Sequence, residues 1–417
     1  MVTELREEVR WRPATRIAFR FFFFYFVLLF VSEGALGLVP GSLLRRYYAL
    51  WLPLLQRIAQ GLHLDQKLTL EYVGISNMAF GWALFLCYMV LAGLATVLWS
   101  ALDRKRESYE RLYSWLRLVL RLLLAPSMIF YGAIKVIPAQ MISPLPVGVL
   151  SIRIGDLFPN HLLWWTVGAS SSFETFIGSA ELVGGLLLLL PQTTLLGALI
   201  AAGNMLVVFL LNMCYDVPVK LMSLHFMVMA LVLIAPDAPR LAGVFFLNRR
   251  AEPVRVAPLF GRRWLDLAPQ VAVLLFGLWS IHGSFQHAGK MYSQFHPPRP
   301  PLYGLWSVEE LASPDPWRWV MIAQPGSLRV QLPDGSWQSY RLDLDRERKL
   351  LRLWRSGKGT QGKAVPVAQG GPQAELAFQR PDPDLLLLEG RLDGRPFRAR
   401  LRKPALARGG FHWIAGP

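Results

Sequence analysis

The chain of 417 residues is 53% hydrophobic and only 17% charged, with a mean hydropathy of +0.34, a balance that sets aside a single water-soluble globular domain of this length. Its net charge of +16 would suit nucleic acid only if the cations formed a patch on a soluble fold. They sit instead in short loops between apolar runs, so membrane topology accounts for the charge and a nucleic-acid partner is set aside.

Seven apolar runs reach the roughly 20 residues a helix needs to cross the hydrocarbon: 17–39, 78–100, 113–137, 173–190, 193–213, 218–235 and 267–284. The first contains an Ala35-Leu36-Gly37 stretch of the kind a signal peptidase cuts, but the segment ahead of it is long and mixed in charge and the run is of full span length, which makes it a span. With the N-terminus inside, the inner loops carry fourteen Lys and Arg, among them Arg10, Arg12, Arg104, Lys105, Arg249 and Arg262; the outer loops carry five, Arg45, Arg46, Arg57, Lys67 and Arg153. That asymmetry predicts a cytoplasmic N-terminus and an extracytoplasmic C-terminus. In the first outer loop Leu43, Leu44, Tyr47, Tyr48, Trp51, Leu54 and Leu55 recur at helical spacing, which predicts a helix in the interface; Trp164 and Trp165 mark the same boundary in the second.

Beyond Pro297 the pattern changes to alternation. Leu328, Val330 and Leu332 lead into a Pro333-Asp334-Gly335 turn and out again through Tyr340, Leu342 and Leu344; Asp393-Gly394 separates 385–392 from Phe397, Ala399 and Leu401. Two hairpins of a small antiparallel sheet or barrel follow, with Arg398, Arg400 and Arg402 on its solvated face. The fold class expected is therefore an α-helical transmembrane bundle of about seven spans plus a small C-terminal antiparallel β domain. It divides into a two-span region with the interfacial helix (1–112), a four-helix membrane core (113–236), a cytoplasmic loop with the seventh span and a linker (237–296), and the β domain (297–417).

In the fourth span Glu174, Gly178, Glu181 and Gly185 share one helical face, and glycines let a neighbouring helix close in, which sets Glu181 against protein and not lipid. Gly197 and Ala201 repeat the device on the fifth span, and Ala180 with Gly184 on a second face of the fourth. Counting the helical rise from the outer ends puts Glu181, Asn204 and His225 about 10 to 14 Å deep, as one polar layer. Lys135, Glu174, Asp216 and Lys220 form a rim nearer the surface, with Asp216 and Lys220 spaced to pair. Charge in hydrocarbon is costly, so these seven residues are the candidate ligand-binding set. A structural ion-pair ring is the competing reading for the rim, and a hydrogen bond to a neighbouring helix is the competing reading for Asn204 and His225. His282, His287 and His296 lack the spacing of a metal site, and Cys87 and Cys214 lie too far apart in depth for a disulfide. No metal is implied and no cofactor is evident.

The Glu181-Leu182-Val183-Gly184-Gly185 stretch resembles the Glu-Leu-x-Gly-Gly core of the DoxX family, and 211–221, containing Asp216, Pro218 and Lys220, resembles the turn of its larger members; 409–414 resembles the end of their β tail. The resemblance spans roughly 113–236, as a DoxX-like four-helix core, to which this chain adds three spans and a β domain. It implies a bacterial inner-membrane protein that binds an amphiphile, a quinone or a lipid, near Glu181, Asp216 and Lys220. It also implies redox protein partners; the convergence of polar residues from several spans points in turn to an accessory component of the bilayer, with a redox or envelope protein as partner. Two further readings stand beside it: a membrane subunit of a quinone-linked oxidoreductase, and an envelope scaffold that docks proteins through the β domain.

Overall fold

The computed structural model describes residues 10–32, 40–61, 79–141, 147–152, 154–251, 258–260, 262–313, 316–357, 365–366 and 371–404; the 35–37 stretch, the 409–414 motif, Lys67 and Arg153 lie outside them. The described helices are α1 (Pro13–Ser32), α2 (Gly41–Gly61), α3 (Ala79–Leu102), α4 (Glu110–Val136), α5 (Pro159–Gly168), α6 (Ser171–Leu189), α7 (Thr194–Cys214), α8 (Lys220–Ile234), α9 (Ala238–Phe245) and α10 (Arg263–Phe295). Among the described residues, seven stretches are long and apolar enough to cross a membrane: Pro13–Ser32, Phe80–Leu102, Glu110–Val136, Ser171–Leu189, Thr194–Cys214, Lys220–Phe245 and Trp264–Phe295. Their length and composition make the chain a multi-pass membrane protein, with as many candidate spans among the described residues as expected. It forms two compact units, Met1–Ile137 with Thr175–Lys290, and Pro138–Glu174 with Met291–Pro417.

The first unit is helical. The amphipathic helix read from 43–55 is present as α2, and its buried stripe of Tyr48, Leu55 and Ala59 packs on the bundle: Tyr48 donates to Ser32 O at 2.6 Å, and Tyr47 and Tyr88 share a hydroxyl contact at 2.7 Å. One unforeseen polar knot holds α1 to the loop after α3. Arg20, buried although it lies in a run of phenylalanines, donates to Ser100 Oγ at 2.7 Å, Asp103 O at 2.9 Å and Tyr109 Oη at 2.6 Å, with the Tyr109 ring beneath its guanidinium. Every donor it turns inward has an acceptor, which is what allows a guanidinium to be buried there.

The sixth span departs from its expected bounds. Its helix starts at Lys220 and not at 218, and it does not stop at 235: Pro236 and Pro239 convert Ala235–Asp237 into a single tighter turn, after which α9 carries the chain to Phe245. Proline tolerates the first turn of a helix, where its missing N–H has no acceptor to lose. The buried Asp237 closes this joint through Arg240 at 2.9 Å.

In the second unit, strands β1 (Gly304–Ala312), β2 (Trp319–Gln324), β3 (Ser327–Gln331), β4 (Trp337–Asp345), β5 (Leu350–Gly357), β7 (Ala374–Asp382), β8 (Leu385–Leu392) and β9 (Arg395–Arg402) run as an antiparallel meander. The pairings β4 with β5 and β9 with β1 close the meander into an eight-stranded barrel; the two-residue β6 (Val365–Pro366) pairs only with the end of β5. Both hairpins read from the alternation are there. Leu328 faces Tyr340 across β3 and β4, and Leu388 faces Ala399 across β8 and β9. Ser336 Oγ and N both donate to Asp334 in the first turn, at 2.7 and 2.9 Å, which holds that carboxyl below its usual value.

The barrel interior is filled, with Trp306, Ile322, Leu328, Val330, Leu376, Leu388, Phe397 and Leu401 buried, and the Trp306 indole donates to Leu302 O at 3.0 Å. Outside, Arg400 and Arg402 pair with Glu309, so the arginine strand is a charged outer face, as expected. Val147 of the preceding segment packs with Leu305 and Met321 on the outer wall.

The β8–β9 turn needs positive φ at both central residues, +48° at Asp393 and +78° at Gly394, the two-residue form whose twist matches the strands. Gly394→Val should therefore destabilise the barrel by about 1–3 kcal/mol. Near-UV circular dichroism of the full-length protein during chemical unfolding checks this through the buried tryptophans.

Candidate functional site

The glycine stripe does what its period implies. A Cβ on Gly178 would stand 2.5 Å from Lys135 Cβ and 2.9 Å from Gly132 O, and one on Gly185 would stand 2.9 Å from Ile129 N, so α6 lies with its backbone against α4. On the other side a Cβ on Gly197 would meet Leu188 N at 2.8 Å and Gly184 O at 2.9 Å, which locks α7 to α6 equally closely. Gly132 belongs to the same device; a Cβ there would meet Leu182 N at 2.6 Å. It was missed because its partner glycine lies on another helix, where a period within one sequence segment cannot reveal it.

This packing buries Glu181 completely and brings Lys135 Nζ to 2.6 Å from its Oε2, with both side chains almost wholly enclosed. The pair is therefore a buried ion pair between α4 and α6, in which attraction at low dielectric offsets the loss of hydration. Tyr131, one turn before Lys135, places its ring 5.5 Å from the ammonium and its hydroxyl 3.1 Å from Met222 Sδ. Glu181 Oε1 is buried and has no hydrogen-bond partner among the described residues. An acceptor oxygen left in that condition is costly, which marks it as the part of the pair open to a further group.

The other predicted residues are distributed differently. Glu174 is fully buried, in the second unit, and its Oε1 accepts from the backbone N–H of Met141 at 2.8 Å and of Gln140 at 3.2 Å. It ties down the chain that follows Ile137. Asp216 is paired with Lys220, as its spacing suggested, but it stands in the turn before α8 at φ +53° and is 81% exposed on its side chain. That pair is a surface tie across the α7–α8 turn. Asn212 completes the turn, donating to Ser223 Oγ at 3.0 Å.

His225 does not join Glu181; its Nε2 meets Tyr25 Oη at 2.5 Å and its ring lies against Phe85. Asn204, on α7, keeps its Nδ2 buried without a partner among the described residues. Of the seven residues, the geometry joins Lys135 with Glu181 and Asp216 with Lys220, and leaves Glu174 and His225 in separate structural contacts.

A second buried cation, after Arg20, escaped the sequence reading. Arg121, eight residues into the third predicted span, sends Nε to Leu188 O at 2.8 Å, Nη2 to Leu189 O at 2.7 Å and Nη1 to Gln270 Oε1 at 2.8 Å. It caps the last turn of α6, whose final carbonyls have no donor of their own. The rule that singled out Glu181, a charge within an apolar run, applies equally to Arg121 and would have found it.

No protein-family profile matches the chain, and no solved structure matches it. Over 134 residues it is 34% identical to the uncharacterized protein YwoB of Bacillus subtilis (strain 168). That alignment takes in 32% of this chain and 82% of YwoB, and on that coverage the chain belongs to the same family as YwoB.

Proposed function

We propose that the chain is an inner-membrane protein of the DoxX type, with a cytoplasmic N-terminus and an extracytoplasmic barrel, which binds an amphiphilic ligand, a quinone or a lipid, in the outer half of its bundle and acts as an accessory component. The orientation rests on the excess of Lys and Arg in alternate loops. The ligand reading rests on one observation: a fully buried ion pair, Lys135 with Glu181, in which one carboxylate oxygen has no partner among the described residues. A purely structural pair would gain by satisfying both oxygens, since a half-satisfied buried network is worse than an apolar contact.

Protein purified in mild detergent should carry a quinone or lipid enriched over the bulk membrane extract, detected by mass spectrometry of its organic phase. Glu181→Gln should lose that enrichment at normal expression. A second reading, in which the barrel docks envelope proteins, is favoured by its filled interior, which leaves only the outer wall for recognition. Wild-type protein with no enriched amphiphile would remove the first reading and leave the second.

A further inference from the structure

Two orphaned atoms of the bundle are complementary to each other in kind. Glu181 Oε1 can only accept and Asn204 Nδ2 can only donate, and both are buried without a partner among the described residues.

The helix register places them at one level. A Cβ on Gly184 would meet Ile200 Cγ2 at 3.1 Å and Ala201 N at 3.6 Å, so Gly184 of α6 is level with Ala201 of α7. The two helices follow one another in the chain and run antiparallel. Three residues back along α6 and three forward along α7 then bring Glu181 level with Asn204.

Their directions agree as well. At about 100° per residue, Glu181 projects between Gly184, which faces α7, and Gly185, which faces α4. Asn204 falls on the same face as Gly197 and Ala201, the face turned to α6. Lys135 of α4 occupies Oε2, so Oε1 is the oxygen that remains for a further donor.

We infer that the junction of α4, α6 and α7 receives a hydroxyl group of an amphiphile, whose O–H donates to Glu181 Oε1 while its oxygen accepts from Asn204 Nδ2. This rests on the ligand reading above and narrows it. A carbonyl oxygen would satisfy Asn204 and leave Glu181 without a donor; an ammonium would satisfy Glu181 and leave Asn204 without an acceptor. A hydroxyl serves both. Quinols and glycerolipids with a free hydroxyl share that chemistry, and a site built to hydrogen-bond an O–H rejects analogues that lack it.

The test uses matched probes on the full-length protein in nanodiscs, under anaerobic conditions: decylubiquinol against decylubiquinone, and monooleoylglycerol against its dimethyl ether. The hydroxyl-bearing member of one pair should bind at least about tenfold more tightly, and which pair shows the preference identifies the source. Asn204→Leu and Glu181→Gln should each erase the preference, and their thermal unfolding monitors the fold independently. Equal binding within both pairs overturns the hydroxyl assignment and leaves the ligand reading standing, as does a preference that survives both substitutions. If none of the four probes binds, both fall, and the partner of the two atoms is a buried water only.

Discussion

Lys135→Met should lower the unfolding free energy of the protein by about 3–5 kcal/mol, because it strands the Glu181 carboxylate in the α4–α6 contact with its only ion-pair partner among the described residues removed. Glu181→Gln should cost less, since a neutral amide can still accept from the ammonium. The double replacement by Met and Leu should recover most of the loss, because two apolar side chains of similar volume carry no desolvation penalty. A double-mutant cycle of unfolding in mixed detergent micelles reads the coupling directly. A Lys135→Met protein within about 1 kcal/mol of wild type would show that the pair is solvated and that its burial has no energetic consequence.

The second large effect is expected at Arg121. Arg121→Met leaves the carbonyls of Leu188 and Leu189 without donors in the last turn of α6 and frees Gln270 of α10. Each buried acceptor left unmade costs about 1–3 kcal/mol, so a loss of about 3 kcal/mol is expected in the same unfolding assay. Arg121→Lys should restore less than half of it, since one ammonium on a flexible stem cannot span two successive carbonyls and a third acceptor as a planar fork does. Full rescue by lysine would mean that charge alone, and not the fork, stabilises the helix end.

The spans were legible because hydrocarbon thickness demands about 20 apolar residues, and no interior packing can disguise that length. The barrel hairpins were legible because Pro333-Asp334-Gly335 and Asp393-Gly394 place turn chemistry between alternating strands. Closure of the sheet was open in the sequence, which leaves no mark for the pairing of β4 with β5 as against an open edge.

The tight packing of α6 against α7 followed from the glycine periods, whereas the choice of α4 as the neighbour on the other face did not. What did not follow was which polar groups meet. Depth along one helix separated Lys135 from Glu181 into rim and layer, but a lysine stem reaches past a helical turn, and the two ended as a single pair. Glu174 was read as rim because the backbone amides of Gln140 and Met141 have no signature in a sequence. His225 found its partner in Tyr25, 200 residues away on α1, a separation that no local pattern carries.

The closed barrel has a consequence for how the protein behaves when it is abundant. Among the described residues, the ladder of the eight barrel strands returns on itself and offers a second copy no long unpaired row of backbone N–H and C=O groups, so these strands are poor templates for zipping into fibrils when the protein is crowded at high expression.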